Sequence, residues 1–142
     1  MNEKIIPVSN PKAQYIKHKQ HIDSAIEKVL SGGWYILGHE VRLFEEEFAF
    51  YLNTEFCTGV ASGTDALILA LKAAEIVPED EVITVSHSAV ATVAAIEQAG
   101  AIPVFADIDP LSRCIDPEKI IPLISPKTKA ILPVHIYGQP AP

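Results

Sequence analysis

Three short apolar runs set the fold: Glu81-Val-Ile-Thr-Val85, Ile102-Pro-Val-Phe-Ala106 and Lys129-Ala-Ile-Leu-Pro-Val134. Each is too short for a typical helix, is rich in strand-favouring residues, and is separated from the next by a helical pattern. An Ala-rich stretch from about Ala89 to Ala99 stops at Gly100, where a glycine closes a helix well, and another helical segment runs from Pro117 to Ile124. Strands alternating with helices at this spacing need crossover connections, so the predicted class is α/β with a mostly parallel sheet flanked by helices. In open sheets of this kind ligands sit beyond the carboxyl ends of the strands. Ser86-His-Ser88, Asp107 and His135-Ile-Tyr137 each follow a predicted strand and fall on that edge.

A fourth polar cluster lies upstream. Phe56-Cys-Thr-Gly-Val-Ala-Ser-Gly-Thr-Asp-Ala-Leu67 reads as a short buried strand, a small-residue turn, and a helix opening at Thr64 or Asp65. A helix start leaves N–H groups without partners and carries partial positive charge. Gly63 allows close approach and Ser62 and Thr64 offer hydroxyls, so the turn suits a phosphate. The same residues also make an ordinary N-cap, and both readings stand. The Asp65 carboxylate is expected to turn away from any anion, while its place in the first helical turn suits the dipole.

The N-terminal third predicts two amphipathic helices, Lys12 to Leu30 and His39 to Leu52, the first stopped by Ser31-Gly-Gly33. Glu45, Glu46 and Glu47 read as a solvated face of the second helix. Between the helices, Trp34 and Tyr35 either anchor the glycine-flanked loop or face a ligand. Residues 1–38 thus form a helix-and-loop region, and residues 39–142 begin the sheet-bearing domain.

Composition narrows the function. The chain is 49% hydrophobic, ample for a core, and its net charge of −7 leaves no basic footprint for nucleic acid. No apolar run approaches the ~20 residues of a membrane span, and no signal-peptide pattern opens the sequence, so a cytoplasmic protein is expected. Cys57 and Cys114 are too few for a disulfide framework or metal cluster and read as buried thiols. Lys72, Lys119, Lys127 and Lys129 read as solvated charges. Asp109-Pro110 and Asp116-Pro117 read as turn and cap residues more than as an acid–base pair.

Seven motifs in order carry a resemblance: Gly33-Trp-Tyr-Ile-Leu-Gly38, Phe44-Glu-Glu-Glu-Phe48, Gly59-Val-Ala-Ser-Gly-Thr-Asp-Ala-Leu67, Gly100-Ala-Ile-Pro-Val-Phe105, Asp107-Ile-Asp-Pro110, Thr128-Lys-Ala-Ile-Leu-Pro-Val-His135 and Tyr137-Gly-Gln-Pro140. Over almost the whole chain from Ile5 it resembles the opening of the DegT/DnrJ/EryC1/StrS family, pyridoxal-phosphate (PLP) aminotransferases of fold type I that act mainly on nucleotide-linked keto-sugars. The resemblance implies the first, incomplete part of that family's large domain, with the Schiff-base lysine and the pyridine-pairing aspartate beyond Pro142. These 142 residues alone are then expected to lack transaminase activity, and a longer version to form a homodimer.

The resemblance also distributes roles. Gly63, Thr64 and Asp65 match the phosphate cup, with the N–H groups of Thr64 and Asp65 as donors. Many members stack an aromatic ring on the pyridine where this chain has Ala89, so His87 becomes the residue that covers that face, unless it instead caps the next helix or bonds to a neighbour. Trp34, Tyr35, His135 and Tyr137 fall near the sugar nucleotide, and no residue is assigned to a metal. The Ser86-His-Ser-Ala-Val-Ala-Thr92 version is similar to members that aminate C3 of dTDP-3-keto-6-deoxyhexoses with glutamate as donor. A family dehydratase using the same cofactor, or a non-catalytic phosphate-binding remnant, remains open from these residues.

Overall fold

A computed structural model describes residues 6–142, so Ile5 and the rest of the first five residues of the predicted helix-and-loop region lie outside the described residues. The chain forms two units, one ending at Gly59 and the other running from Val60 to Pro142.

The first unit holds helices α1 (Pro11–Gly32) and α2 (His39–Leu52). Asn10 caps α1 by accepting the Ala13 N–H at 3.1 Å, and Pro11 occupies the first turn, where a missing N–H costs nothing. Gly33 closes the helix in the left-handed conformation, φ 69°. Helix α2 matches its predicted bounds and ends at Asn53, also left-handed at φ 54°. Gly38 before it is obligatory, since a Cβ there would stand 2.7 Å from the Trp34 carbonyl oxygen. The glutamate run is not uniformly solvated: Glu45 is half-buried and its Oε1 accepts the Gly59 N–H at 2.7 Å.

The second unit is built on a three-stranded parallel sheet in the order β2-β1-β3, from β1 (Glu81–Val85), β2 (Ile102–Ala106) and β3 (Thr128–Ile131). The first two strands stand where the sequence puts them, whereas β3 is shorter than the run Lys129–Val134, and Leu132 N–H closes onto the Ile83 carbonyl at 2.8 Å. Pro103 is tolerated because β2 is an edge strand of this sheet. Helices α3 (Gly63–Ala73) and α4 (Val90–Gln98) pack together on one face, where Leu71, Ile76, Val82, Ala95 and Ile96 form a core with Leu67 and Leu132. The other face buries Ile83, Val85, Ala106 and Ile115 beneath the segment that includes α5 (Pro117–Ile120) and its 3₁₀ continuation Ile121–Leu123. The sheet thus has apolar cover on both faces, as parallel sheets require, and β1 is buried from Val82 to Val85.

One expected element is absent. Residues 56–60 form no strand, and Phe56 is exposed rather than buried. A strand needs an edge to pair with, and the described strands pair only among themselves.

Candidate functional site

Helix α3 opens at Gly63 with Ser62 as N-cap, one residue before the earliest predicted start. Ser62 is extended (φ −155°, ψ 164°), its Oγ accepts the Asp65 N–H at 3.1 Å, and its hydroxyl donates to Asp65 Oδ2 at 2.7 Å. This is half of a capping box: Ser62 takes the N3 amide, while the Asp65 carboxylate bonds the Ser62 hydroxyl rather than its backbone N–H, and the Ser-x-x-Asp spacing is legible in the sequence. It corrects the expected cup, because the Asp65 amide is engaged by Ser62. The unpartnered amides are instead those of Gly63 and Thr64, neither of which meets an acceptor among the described residues. The Asp65 carboxylate is tied to Ser62, and an added Cβ at Gly63 would meet nothing within 4 Å, so the approach to these two N–H groups is open there. Two adjacent free donors at the positive end of an 11-residue helix fit an anion.

The carboxyl edge of the sheet supplies the other groups. Ser86 and His87 follow β1, Asp107 follows β2, and His135 and Tyr137 come after β3. His87 and Tyr137 meet, with Oη of Tyr137 3.3 Å from Nε2 of His87, ring centroids 5.9 Å apart and planes at 65°. His87 therefore does bond to a neighbour. His135 is occupied locally, its Nδ1 accepting the Ala141 N–H at 2.9 Å. Ser88 and Thr92 share a 2.6 Å hydrogen bond across the start of α4. Asp109 accepts the N–H groups of Ser112 (2.7 Å) and Leu111 (3.1 Å), as a turn residue does. Those bonds, the Ser112 amide first, hold its carboxyl below the ordinary range. Asp116 accepts the Glu118 N–H at 2.9 Å and caps α5.

Trp34 and Tyr35 lie in the first unit, beside a cavity of about 450 Å³ that Lys28, Val29 and His39 also line. Both are tied to their own loop, Trp34 Nε1 donating to the Ile36 carbonyl at 2.7 Å and Tyr35 Oη to that of Leu30 at 3.1 Å. Lys28 and Glu40 form an ion pair at 2.9 Å, and the lysine's bond, more than its charge, holds the Glu40 carboxyl below its usual range. Cys114 is buried, whereas Cys57 is only half-buried, against expectation. Among the described residues no helix is long and apolar enough to cross a membrane, and no cluster of ligating side chains could hold a metal ion.

The chain as a whole is matched in known proteins. The profile described as the DegT/DnrJ/EryC1/StrS aminotransferase family fits residues 17–142. The chain belongs to that family. Among relatives of this family member is a dTDP-3-amino-3,6-dideoxy-alpha-D-galactopyranose transaminase from Aneurinibacillus thermoaerophilus, 43% identical over 135 residues, which are 95% of this chain and 37% of the relative. The crystal structure of S. venezuelae DesV in complex with a ketimine intermediate superposes with TM-score 0.90 at 43% identity, covering 96% of this chain and 37% of that one. A GDP-4-keto-6-deoxymannose-3-dehydratase with a trapped PLP-glutamate geminal diamine superposes with TM-score 0.77 at 30% identity, covering 82% and 32%. The chain spans 37% of the length of the first curated relatives it matches.

Proposed function

We propose that this chain supplies the phosphate-anchoring part of a PLP-dependent aminotransferase that moves an amino group from glutamate to a nucleotide-linked keto-sugar, with a dTDP-3-keto-6-deoxyhexose as acceptor. The pair of free amides at Gly63 and Thr64 carries the reading. When bound, the cofactor supplies an electron sink for amino transfer. The protein's share here is to bind and orient it. The Gly63 and Thr64 N–H groups donate to the phosphate, while Asp65 serves through Ser62 by holding the first turn in place. His87 lies against the cofactor face that Ala89 leaves uncovered. Trp34, Tyr35, His135 and Tyr137 contribute to the sugar-nucleotide side, and a cytoplasmic homodimer is the working form.

The dTDP-sugar relative supports this acceptor, and the solved dehydratase, at 30% identity against 43%, makes deoxygenation the second reading. Resemblance puts the proton-moving lysine beyond Gly138-Gln139-Pro140, so the test is of binding rather than turnover. Calorimetry and phosphorus NMR of the chain with pyridoxamine phosphate should report binding that Gly63→Pro weakens about tenfold, the effect of one hydrogen bond to a charged group. Proline is suited to this first helical position, so the helix survives while one donor is deleted. Equal affinity in wild type and variant, or no binding by wild type, would overturn the anchoring role.

A further inference from the structure

We infer that Tyr137 is a positioning residue for His87: it fixes the imidazole's tautomer and ring plane, leaving Nδ1–H as a directed donor at the sheet edge. His87 stands two residues beyond β1, half-buried, with Nε2 3.3 Å from Tyr137 Oη. A phenol gives its proton more readily than it accepts one, and a neutral imidazole carries one bare nitrogen. The hydroxyl therefore donates to Nε2, and the ring proton resides on Nδ1. That nitrogen makes no hydrogen bond among the described residues, so it is available to a ligand. The tyrosine meets the imidazole edge-on at 65°, which opposes rotation of the smaller ring.

Tyr137 reaches this place in a conformation that bulky residues avoid, φ 55°, followed by Gly138 at φ 79°. Its segment is held at both ends, by the Ala141 N–H on His135 Nδ1 at 2.9 Å and by Cys114 Sγ donating to the Gln139 carbonyl at 3.4 Å. Backbone strain of this kind persists where the surroundings over-determine it, and such places collect at functional sites. The strained turn delivers one aromatic hydroxyl to one histidine 50 positions away. The inference rests on the proposed cofactor reading of this edge, and it moves Tyr137 from touching the sugar to orienting the group that touches the cofactor.

Long-range proton–nitrogen NMR of the 142-residue chain in alkaline buffer reads the tautomer without any ligand. His87 should be found as Nδ1–H, and Tyr137→Phe should move the tautomer ratio about tenfold toward Nε2–H. An Nε2–H majority in wild type, or a ratio unmoved in Tyr137→Phe, would overturn the assignment. With pyridoxamine phosphate, Tyr137→Phe should weaken binding several-fold in wild type and not at all when His87→Ala is already present; additive losses would also overturn it. Gly63→Pro leaves the tautomer untouched, so failure of the cofactor reading and failure of the Tyr137 assignment appear in different measurements.

Discussion

In the first unit α1 contributes no buried residue and α2 only Ala49, whereas in the second Val82 to Val85 are all buried. Both units contain well-formed elements, but for different reasons. The helices of the first are specified locally, by Asn10 and Pro11 at one start, by Gly33 and Asn53 at the two ends, and by apolar residues at helical spacing. Their apolar stripe stays in solvent among the described residues: Phe44 and Phe48 stack at 5.4 Å on an open face, and Tyr51 beside them is 79% exposed. The second unit draws its order from burial, with Ile83 and Ile96 fully inaccessible on opposite faces of one sheet. Amphipathic pattern decides that a helix forms; it does not decide what the apolar face meets.

The contrast can be broken or sharpened by experiment. Ile83→Ala should remove about 2–5 kcal/mol from the second unit, as methylene deletion in a filled core does, and lower its urea midpoint. A change below about 1 kcal/mol would mean that the core is looser than its burial implies. Ser62→Ala removes the α3 cap and should cost about 1 kcal/mol in the same assay. Phe50, although large, is 88% exposed, so Phe50→Ala should stay within about 0.5 kcal/mol, and a core-sized loss would show that the first unit buries this face in solution.

The smallest effects concern pH. Asp23 in the first unit is held below the usual carboxylate range chiefly by its hydrogen bond from Lys19 and next by that from Tyr15, and Asp109 in the second chiefly by the Ser112 amide. Both folded values lie below the unfolded ones. Each therefore stabilises above the unfolded value of about 4, and that contribution is lost as pH falls through the lowered folded value. Salt screens the lysine charge but not the peptide donor. Carbon NMR titration should find Asp23 rising toward the ordinary range in high salt while Asp109 holds. Equal movement of the two would contradict this account.

Much of the fold is readable from residues alone. Glu81–Val85 and Ile102–Ala106 emerge as strands in place because five-residue runs rich in strand-favouring side chains are too short for a typical helix. The end at Gly100 follows from its φ of 90°, which glycine adopts at little cost. The run at residues 56–60 misleads because a strand is defined by a neighbour as much as by its own side chains. In the site, the helix start was visible but its donor set was not. Ser62 competes for the Asp65 amide, and only the cap geometry shows which N–H groups remain. His87 meeting Tyr137 was beyond periodicity, since 50 positions separate them and β1 and β3 bring them to one edge.

The sequence by itself determined the family, the alternation of strand and helix, and the capped helix start at residues 62–65, because caps, glycines and apolar runs act within a few residues. The tertiary structure alone decided which amides stay free, which apolar faces are covered, and that Tyr137 meets His87. Those outcomes depend on competition among groups distant in the chain, and only the assembled sheet settles who meets whom.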